Sequence, residues 1–595
     1  MYTDLTLVPR PQQIEILGAS ALPLTAAVRE TRTEGLPAQG FEIDITADGA
    51  ELRHGDEAGL RYGRALLEQI RRQAQEQDTW PGLRVRDWPD FPVRGYMLDV
   101  SRSRVPTRET LERIVGLLDL LRINQLQLYT EHTFAYQDHE PVWRHASPLT
   151  ADDVRWLDGL CAAQGIELVA NQNTFGHMER WLAHEPYRSR AELPDGFELF
   201  GAHRGASTLA PTEDNADFAL GLVRELLPHF TSRRVNIGCD ETWELGRGVS
   251  APDAAERGKG RVYADHLRRL LTPLLEEGYE PQFWGDIIAH YPELVGELPA
   301  GATAVAWDYE APSARDAWGA WPQAVHDRLA AVGHGVDGLA PGFAAVAAPF
   351  AEAGYPFWVA PGTSTWNTLT GRIDNARDNL LDAALVGREH GAGGYLITDW
   401  GDNGHLQPPS VSFPPLVYGA AVAWSADANR DLALSPVLDR FVFADPTGRL
   451  SAALDTLGHA WRRTGRQSFN ASPLAAAVVP GSYLLGEGLD ADQLTALVPD
   501  LDAALADIAA ATPGSPDGAL VRRELTAAAR LVRHGAWRLL REAGAPAAPD
   551  DKALAADLAE ATELHRAAWL ERSRPGGLEA GLASLERTAA EYGQG

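Results

Sequence analysis

Eight short apolar or β-rich runs recur along the middle of this 595-residue chain, at residues 95–100, 125–129, 166–170, 235–237, 281–284, 304–307, 356–359 and 394–397. Segments with helical spacing lie between them. Leu111, Ile114, Val115, Leu118 and Leu121 share one helix face, and Val154, Leu157, Leu160 and Cys161 share another. Thr150 with Asp153 forms a capping box for the second. Such alternation leaves two architectures, a closed (β/α)8 barrel and an open doubly wound sheet. The polar and aromatic residues decide between them. Asp99, Glu131, Asn173 with His177, Asp240 with Glu241, Trp284 with Asp286, Trp307 with Tyr309, Trp366, and Trp400 with Asp402 all fall at or just past a strand's C-terminal end. Barrels build active sites on that face, whereas an open sheet concentrates such residues at one switch point. A (β/α)8 TIM barrel is therefore expected over residues 89–429.

Residues 1–88 carry strand patterns at 13–17, 41–45 and 51–53, a turn at Asp48-Gly49, and an amphipathic segment at 60–72. They read as a small α/β domain with a hairpin. Residues 430–595 are rich in Ala, Leu, Arg and Glu, with long helical stretches at 520–542 and 552–572, and Pro-Gly-Ser-Pro at 513–516 and Gly-Ala-Pro at 544–546 separate the helices. They read as a helical domain.

The fourth strand runs straight into two acids, Arg234-Val235-Asn236-Ile237-Gly238-Cys239-Asp240-Glu241-Thr242. Side chains alternate along a strand, so both carboxylates reach one pocket only if the strand stops there, and Gly238 permits the tight backbone that stops it. Adjacent carboxylates oppose each other's ionisation, which lets one stay protonated as an acid while the other stays charged. An Asp-Glu pair alone is most often solvated surface; its place at a strand end is what points to chemistry. Glu244 follows in a loop and is expected at the pocket rim. The loop at 174–211 is expected to shape the pocket.

Five segments together resemble the family 20 glycoside hydrolases, the β-N-acetylhexosaminidases: 94–102 (Arg-Gly-Tyr-Met-Leu-Asp-Val-Ser-Arg), 124–128 (Asn-Gln-Leu-Gln-Leu), Phe175-Gly176-His177, Ile237-Gly238-Cys239-Asp240-Glu241, and Trp400-Gly401-Asp402. The likeness runs over residues 7–424. It implies removal of a terminal β-linked GlcNAc or GalNAc by substrate-assisted catalysis. On that likeness Glu241 is the general acid, and Asp240 holds the acetamido N–H. Tyr309 bonds the acetamido carbonyl, Arg94 fixes O3 and O4, and Asp402 contacts O4 and O6. Trp284, Trp307, Trp366 and Trp400 wall the sugar, and Glu131 with His177 supports the polar network. The family's usual His is Asn236 here, its second Gly is Cys239, its Thr-Asp-Asp is Thr130-Glu131-His132, and its Trp-Ser-Glu is Trp400-Gly401-Asp402. Its Tyr-x-Asp pair is missing from the seventh strand, and Tyr309, one strand earlier, stands in for it.

A formal charge of −29 argues against nucleic acid or an anionic membrane as partner. The expected partner is a small oligosaccharide or glycoconjugate. The first ten residues lack a cationic start and an apolar core, so a cytoplasmic protein is expected. Cys161 and Cys239 supply no disulfide framework, and no cofactor or metal is expected. Three rivals stand beside the main reading: a conventional retaining glycosidase with a carboxylate nucleophile, a metal-dependent hydrolase recruiting Asp240, Glu241, His177, His405 and Asp402, and a non-catalytic sugar-binding barrel.

Overall fold

The computed structural model describes residues 5–102, 104–199, 202–314, 341–481 and 483–593. Near its N-terminus a five-stranded sheet is built from Gln13–Pro23, Val28–Arg32, Phe41–Thr46, Gly49–His54 and Thr79–Asp87, with the first strand beside the fifth and the second at the far edge. The helix Glu57–Ala74 covers it, started by Asp56, whose carboxylate accepts from the Gly59 N–H. The strand Val28–Arg32 has no buried residue, so it carries no apolar alternation to read; Thr79–Asp87 is interrupted by Pro81 and Gly82. Phe41, Ile43, Leu52, Leu66, Ile70 and Val85 form the core of this layer, which Trp424 from the barrel's last helix completes.

Eight parallel strands close the barrel: Val93–Asp99, Gln125–Thr130, Glu167–Gln172, Arg234–Asn236, Glu280–Trp284, Thr303–Trp307, Phe357–Ala360 and Gly394–Asp399. The eighth pairs with the first from Gly394↔Val93 to Asp399↔Leu98. Each run expected from the sequence is a strand. Alternation then sorts side chains by parity. From the first strand Met97 joins an interior cluster with Tyr129, Trp284, Val305, Trp358 and Leu396, while Tyr96 and Leu98 pack outward against the helices. Deeper in, Gln127 donates to Gln125 and Gln282 and accepts from Asn171, which leaves Asn171 Oδ1 and Gln282 Nε2 buried without a partner among the described residues.

The same parity overturns the expectation for Arg94. It faces outward at the N-terminal end of its strand, fully buried against the small sheet. Its guanidinium donates to the carbonyls of Phe91 and Arg122, to Gln39 Oε1 and to Tyr62 Oη, and lies over the Trp424 ring. It stands at the opposite end of the barrel from the strand ends that form the site, and cannot fix a sugar hydroxyl there.

After the barrel come the helices Ala491–Ala510, Gly518–Glu542, Asp551–Arg572 and Leu578–Glu591. Their apolar faces merge with the barrel's outer shell, for one cluster holds Leu118 and Val223 together with Leu525 and Leu582. The Arg574 N–H donates to the Val105 carbonyl, and Thr110 Oγ1 to that of Arg572. No helix among the described residues is long and apolar enough to cross a membrane.

Candidate active site

The fourth strand ends at Asn236, and three residues beyond it take left-handed backbone: Gly238 at φ 72°, Cys239 at φ 74° and Glu241 at φ 46°. Two of them are not glycine, and such strain persists only where the surroundings impose it. The backbone reversal brings both acids to one place. His177 Nε2 lies 3.3 Å from Asp240 Oδ2 and 3.3 Å from Glu241 Oε2. Asp240 is buried and Glu241 is about one-third exposed, so only the latter faces outward. Asp240 Oδ1 is buried with no hydrogen-bond partner among the described residues. Gly176, beside His177, is packed against this turn: a Cβ there would lie 2.2 Å from the Asp240 carbonyl oxygen.

His177 is itself left-handed, at φ 55°. Burial disfavours its charged form, but the Asp240 charge and bonds to both acids outweigh burial and raise the imidazole well above its ordinary value. Behind it stands Arg102, which reaches Asp99 Oδ2 at 3.0 Å, Glu131 Oε1 at 3.2 Å and His177 Nδ1 at 3.4 Å, between the rings of Tyr129 and Trp400. Burial pushes the Glu131 carboxyl up to about 7, against the pull of Arg102. The Asp402 carboxyl is also raised by burial, within electrostatic reach of Arg102, Glu241 and His177. Arg102 thus occupies the cationic place that Arg94 was expected to fill. Its sequence signal was present, eight residues on in the same motif and just beyond the strand's C-terminal end.

Aromatic residues line the mouth. Tyr309 stacks on Trp307 at 5.0 Å and meets Trp366 edge-on at 5.1 Å. Burial, with the charges of Asp240 and Glu241, pushes its phenol well up, leaving a neutral O–H at this position. Trp400 is 5.8 Å from Trp284 and 4.7 Å from Tyr129. Trp284 and Trp366 are fully buried with their indole N–H groups unpartnered among the described residues, so they form floor more than wall. Cys239 is buried and its thiol is pushed up by burial, which leaves it no nucleophilic character.

Two further residues stand out. Asp286, just past the fifth strand, accepts the Glu241 N–H through Oδ2 at 3.0 Å, and burial with the neighbouring Asp240 and Glu241 charges drives its carboxyl well upward. It is a third acid, and it holds the Asp240-Glu241 turn. Glu244 is not at the rim: it is fully buried and accepts from the N–H and hydroxyl groups of both Ser207 and Thr208, fastening the long loop. Beyond Glu241, a cavity of about 670 Å³ opens between Thr242, Trp243, Lys259, Asp286, His290, Tyr291, Trp307 and Val346. No group of three or more His, Cys, Asp or Glu placed to hold a metal ion occurs among the described residues.

A closed eight-stranded barrel whose C-terminal mouth joins a paired acid to a ring of aromatics defines a glycoside hydrolase scaffold. Residues 10–88 match glycosyl hydrolase family 20, domain 2, and residues 91–320 match the family's catalytic domain; the chain belongs to family 20. Hexosaminidase D of Homo sapiens is 25% identical over 229 residues, covering 37% of this chain and 46% of that protein. Hexosaminidase D of Bos taurus is 24% identical over 34% of this chain and 58% of its own length. The chain thus spans about half the length of these curated relatives. The solved chitobiase of Flavobacterium johnsoniae shares the fold at 14% identity and a TM-score of 0.55, over 95% of this chain and 99% of its own.

Proposed function

We propose that this chain is an exo-acting, retaining β-N-acetylhexosaminidase that uses the substrate's own acetamido group as nucleophile. The observation that carries the reading is Asp240 Oδ1, a buried acceptor without a partner beside the outward-facing Glu241. A substrate amide N–H would satisfy that oxygen. Held by Asp240, the acetamido oxygen attacks the anomeric carbon while Glu241 protonates the departing glycosidic oxygen, and the same carboxylate then takes a proton from the incoming water. Positive charge develops on the acetamido nitrogen next to Asp240, a contribution concentrated in the transition state. Tyr309, a neutral O–H at the same mouth, suits the acetamido carbonyl. Trp307, Trp366 and Trp400 offer ring faces to the sugar. Arg102 and Asp402 are the polar pair proposed for the hydroxyls on its far side. Family membership and relatives named as hexosaminidases support the reading.

The test compares p-nitrophenyl β-GlcNAc, β-GalNAc and β-glucoside. Hydrolysis of the two acetamido sugars and not of the glucoside is expected. Glu241→Gln should lower turnover of a natural disaccharide by roughly two to four orders of magnitude. An N-acetylglucosamine-thiazoline, which mimics the cyclised intermediate, should inhibit far more tightly than free GlcNAc, and less so in Asp240→Asn. Glucoside hydrolysis at a comparable rate would replace this reading with the conventional retaining mechanism.

A further inference from the structure

Among the described residues, the cavity beyond Glu241 is lined by the acids Glu241, Asp286 and Asp308 and by one cation, Lys259. Of the adjacent acids Asp240 and Glu241, Glu241 lines it and Asp240 does not. A glycosidic oxygen at Glu241 therefore directs its leaving group into this space, whose volume is in the range of sugar-sized ligand pockets. At its wall is Lys259, the first residue of the helix Lys259–Glu276, part-buried, its ammonium making no hydrogen bond or ion pair among the described residues. Arg247 lies within its electrostatic reach, and it too forms no ion pair there, its guanidinium resting over the Phe197 ring.

The neighbouring carboxylates make no ion pair with these two cations among the described residues, and the charges of Asp286 and Glu244 reach Lys259 only through space. Glu244 is occupied by four donors from Ser207 and Thr208. Asp308 accepts the N–H groups of Glu310 and Gly342. Asp286 is held to the Glu241 N–H among other acids. In a chain of net charge −29, whose arginines are largely paired with acids, a lysine left unpaired on a cavity wall is a feature to be explained. Burial costs this ammonium hydration that the charges of Asp286 and Glu244 only partly return, and a contacting anion would restore the rest.

Resting on the hydrolase reading above, we propose that this cavity is the leaving-group subsite and that Lys259, backed by Arg247, selects glycosides whose leaving-group sugar bears an anion, either a uronate carboxylate or a sulfate ester. The glycone fits among the indoles, and the acidic neighbour is held on the far side of Glu241.

Two pairs of disaccharides test this: β-GlcNAc linked to glucuronate against its methyl ester, and β-GlcNAc linked to glucose 6-sulfate against glucose. The native enzyme should favour the charged member of at least one pair by about tenfold in kcat/KM, and the pair that shows it distinguishes carboxylate from sulfate. Added salt should shrink the preference. In Lys259→Met the ratio should fall to about one, and because it is a ratio within one protein a general loss of activity cancels. A ratio of one in the native enzyme, or a preference unchanged in the variant, overturns the proposal. Titration of glucuronate and of glucose 6-sulfate themselves, followed by ligand NMR, needs no turnover: binding of one of them to the native protein and not to Lys259→Met supports the subsite, and equal or absent binding rejects it. Failure to hydrolyse any acetamido glycoside would instead reject the hydrolase reading, with the titration still deciding the cavity.

Discussion

Glu131 is 5% exposed beneath Arg102, with its carboxyl raised to about 7 by burial, and Glu179 and Asp99 also disfavour its charge. Between the ordinary value of 4.5 and about 7, the folded chain keeps a proton that the unfolded chain has lost, so this group weakens folding as pH rises through that window. Glu131→Gln should therefore gain stability relative to the native chain by up to roughly 3 kcal/mol on going from mildly acidic to mildly alkaline pH. Denaturation midpoints of both proteins across that range check this, and a difference independent of pH would show that Glu131 does not titrate there. The two arginines of one motif should separate cleanly. Arg94→Met strips donors from several buried acceptors and should cost roughly 3–5 kcal/mol in urea unfolding, with kcat/KM of the folded fraction retained. Arg102→Met removes the group that spans Asp99, Glu131 and His177 and should lower kcat/KM by roughly a hundredfold at a smaller stability cost. The reverse pattern would return the sugar-binding role to Arg94.

At the scale of elements, the acids are positioned by contact between two loops, one after the third strand and one after the fourth. Gly176 is where they touch. With a methyl group 2.2 Å from the Asp240 carbonyl, Gly176→Ala forces the His177 loop away from the carboxylate turn. Activity should fall at least tenfold. Gly159→Ala is the matched control: it lies inside the helix Ala151–Ala163, has nothing within 4 Å of its added methyl, and should be neutral or stabilising by up to about 1 kcal/mol. Equal activity in the two variants would mean that the contact at Gly176 does not set the geometry of the acids. The long loop, residues 174–211, is anchored from below, since Glu244 clamps Ser207 and Thr208 and the Trp181 indole donates to the Glu131 carbonyl.

Over the whole molecule, the helices after residue 430 are a continuation of the barrel's shell. Arg572 is buried between Glu524 and Asp517, and Arg113 of the barrel reaches the same Asp517. A chain ended at residue 429 would uncover part of the apolar cluster that now joins the barrel helices to Leu525 and Leu582. We expect it to aggregate or to bind a hydrophobic dye, and the full chain to lose helix and barrel signals in one transition. A soluble, active 1–429 fragment would instead show that the helical part is an independent domain.

Much of this was legible in the linear chain. The eight strands, the place of Asp240 and Glu241 at a strand end, the helices at 520–542 and 552–572 and the capping box at Thr150 all follow from short-range rules of periodicity, capping and backbone freedom, which act over a few residues. Strand parity was equally local, yet Arg94 was given the wrong end of the barrel. Which end of a strand meets a site, and which face meets a neighbouring layer, depends on what packs there, and here Tyr62 and Trp424 came from far along the chain. Glu244 likewise looked like rim because its partners, Ser207 and Thr208, are 37 and 36 residues away. The pairing of His177 with both acids, the bond from the Glu241 N–H to Asp286 and the unpaired Lys259 came only from closure of the barrel. Electrostatic environment depends on distances between groups brought together in space, and spacing along the chain does not encode it.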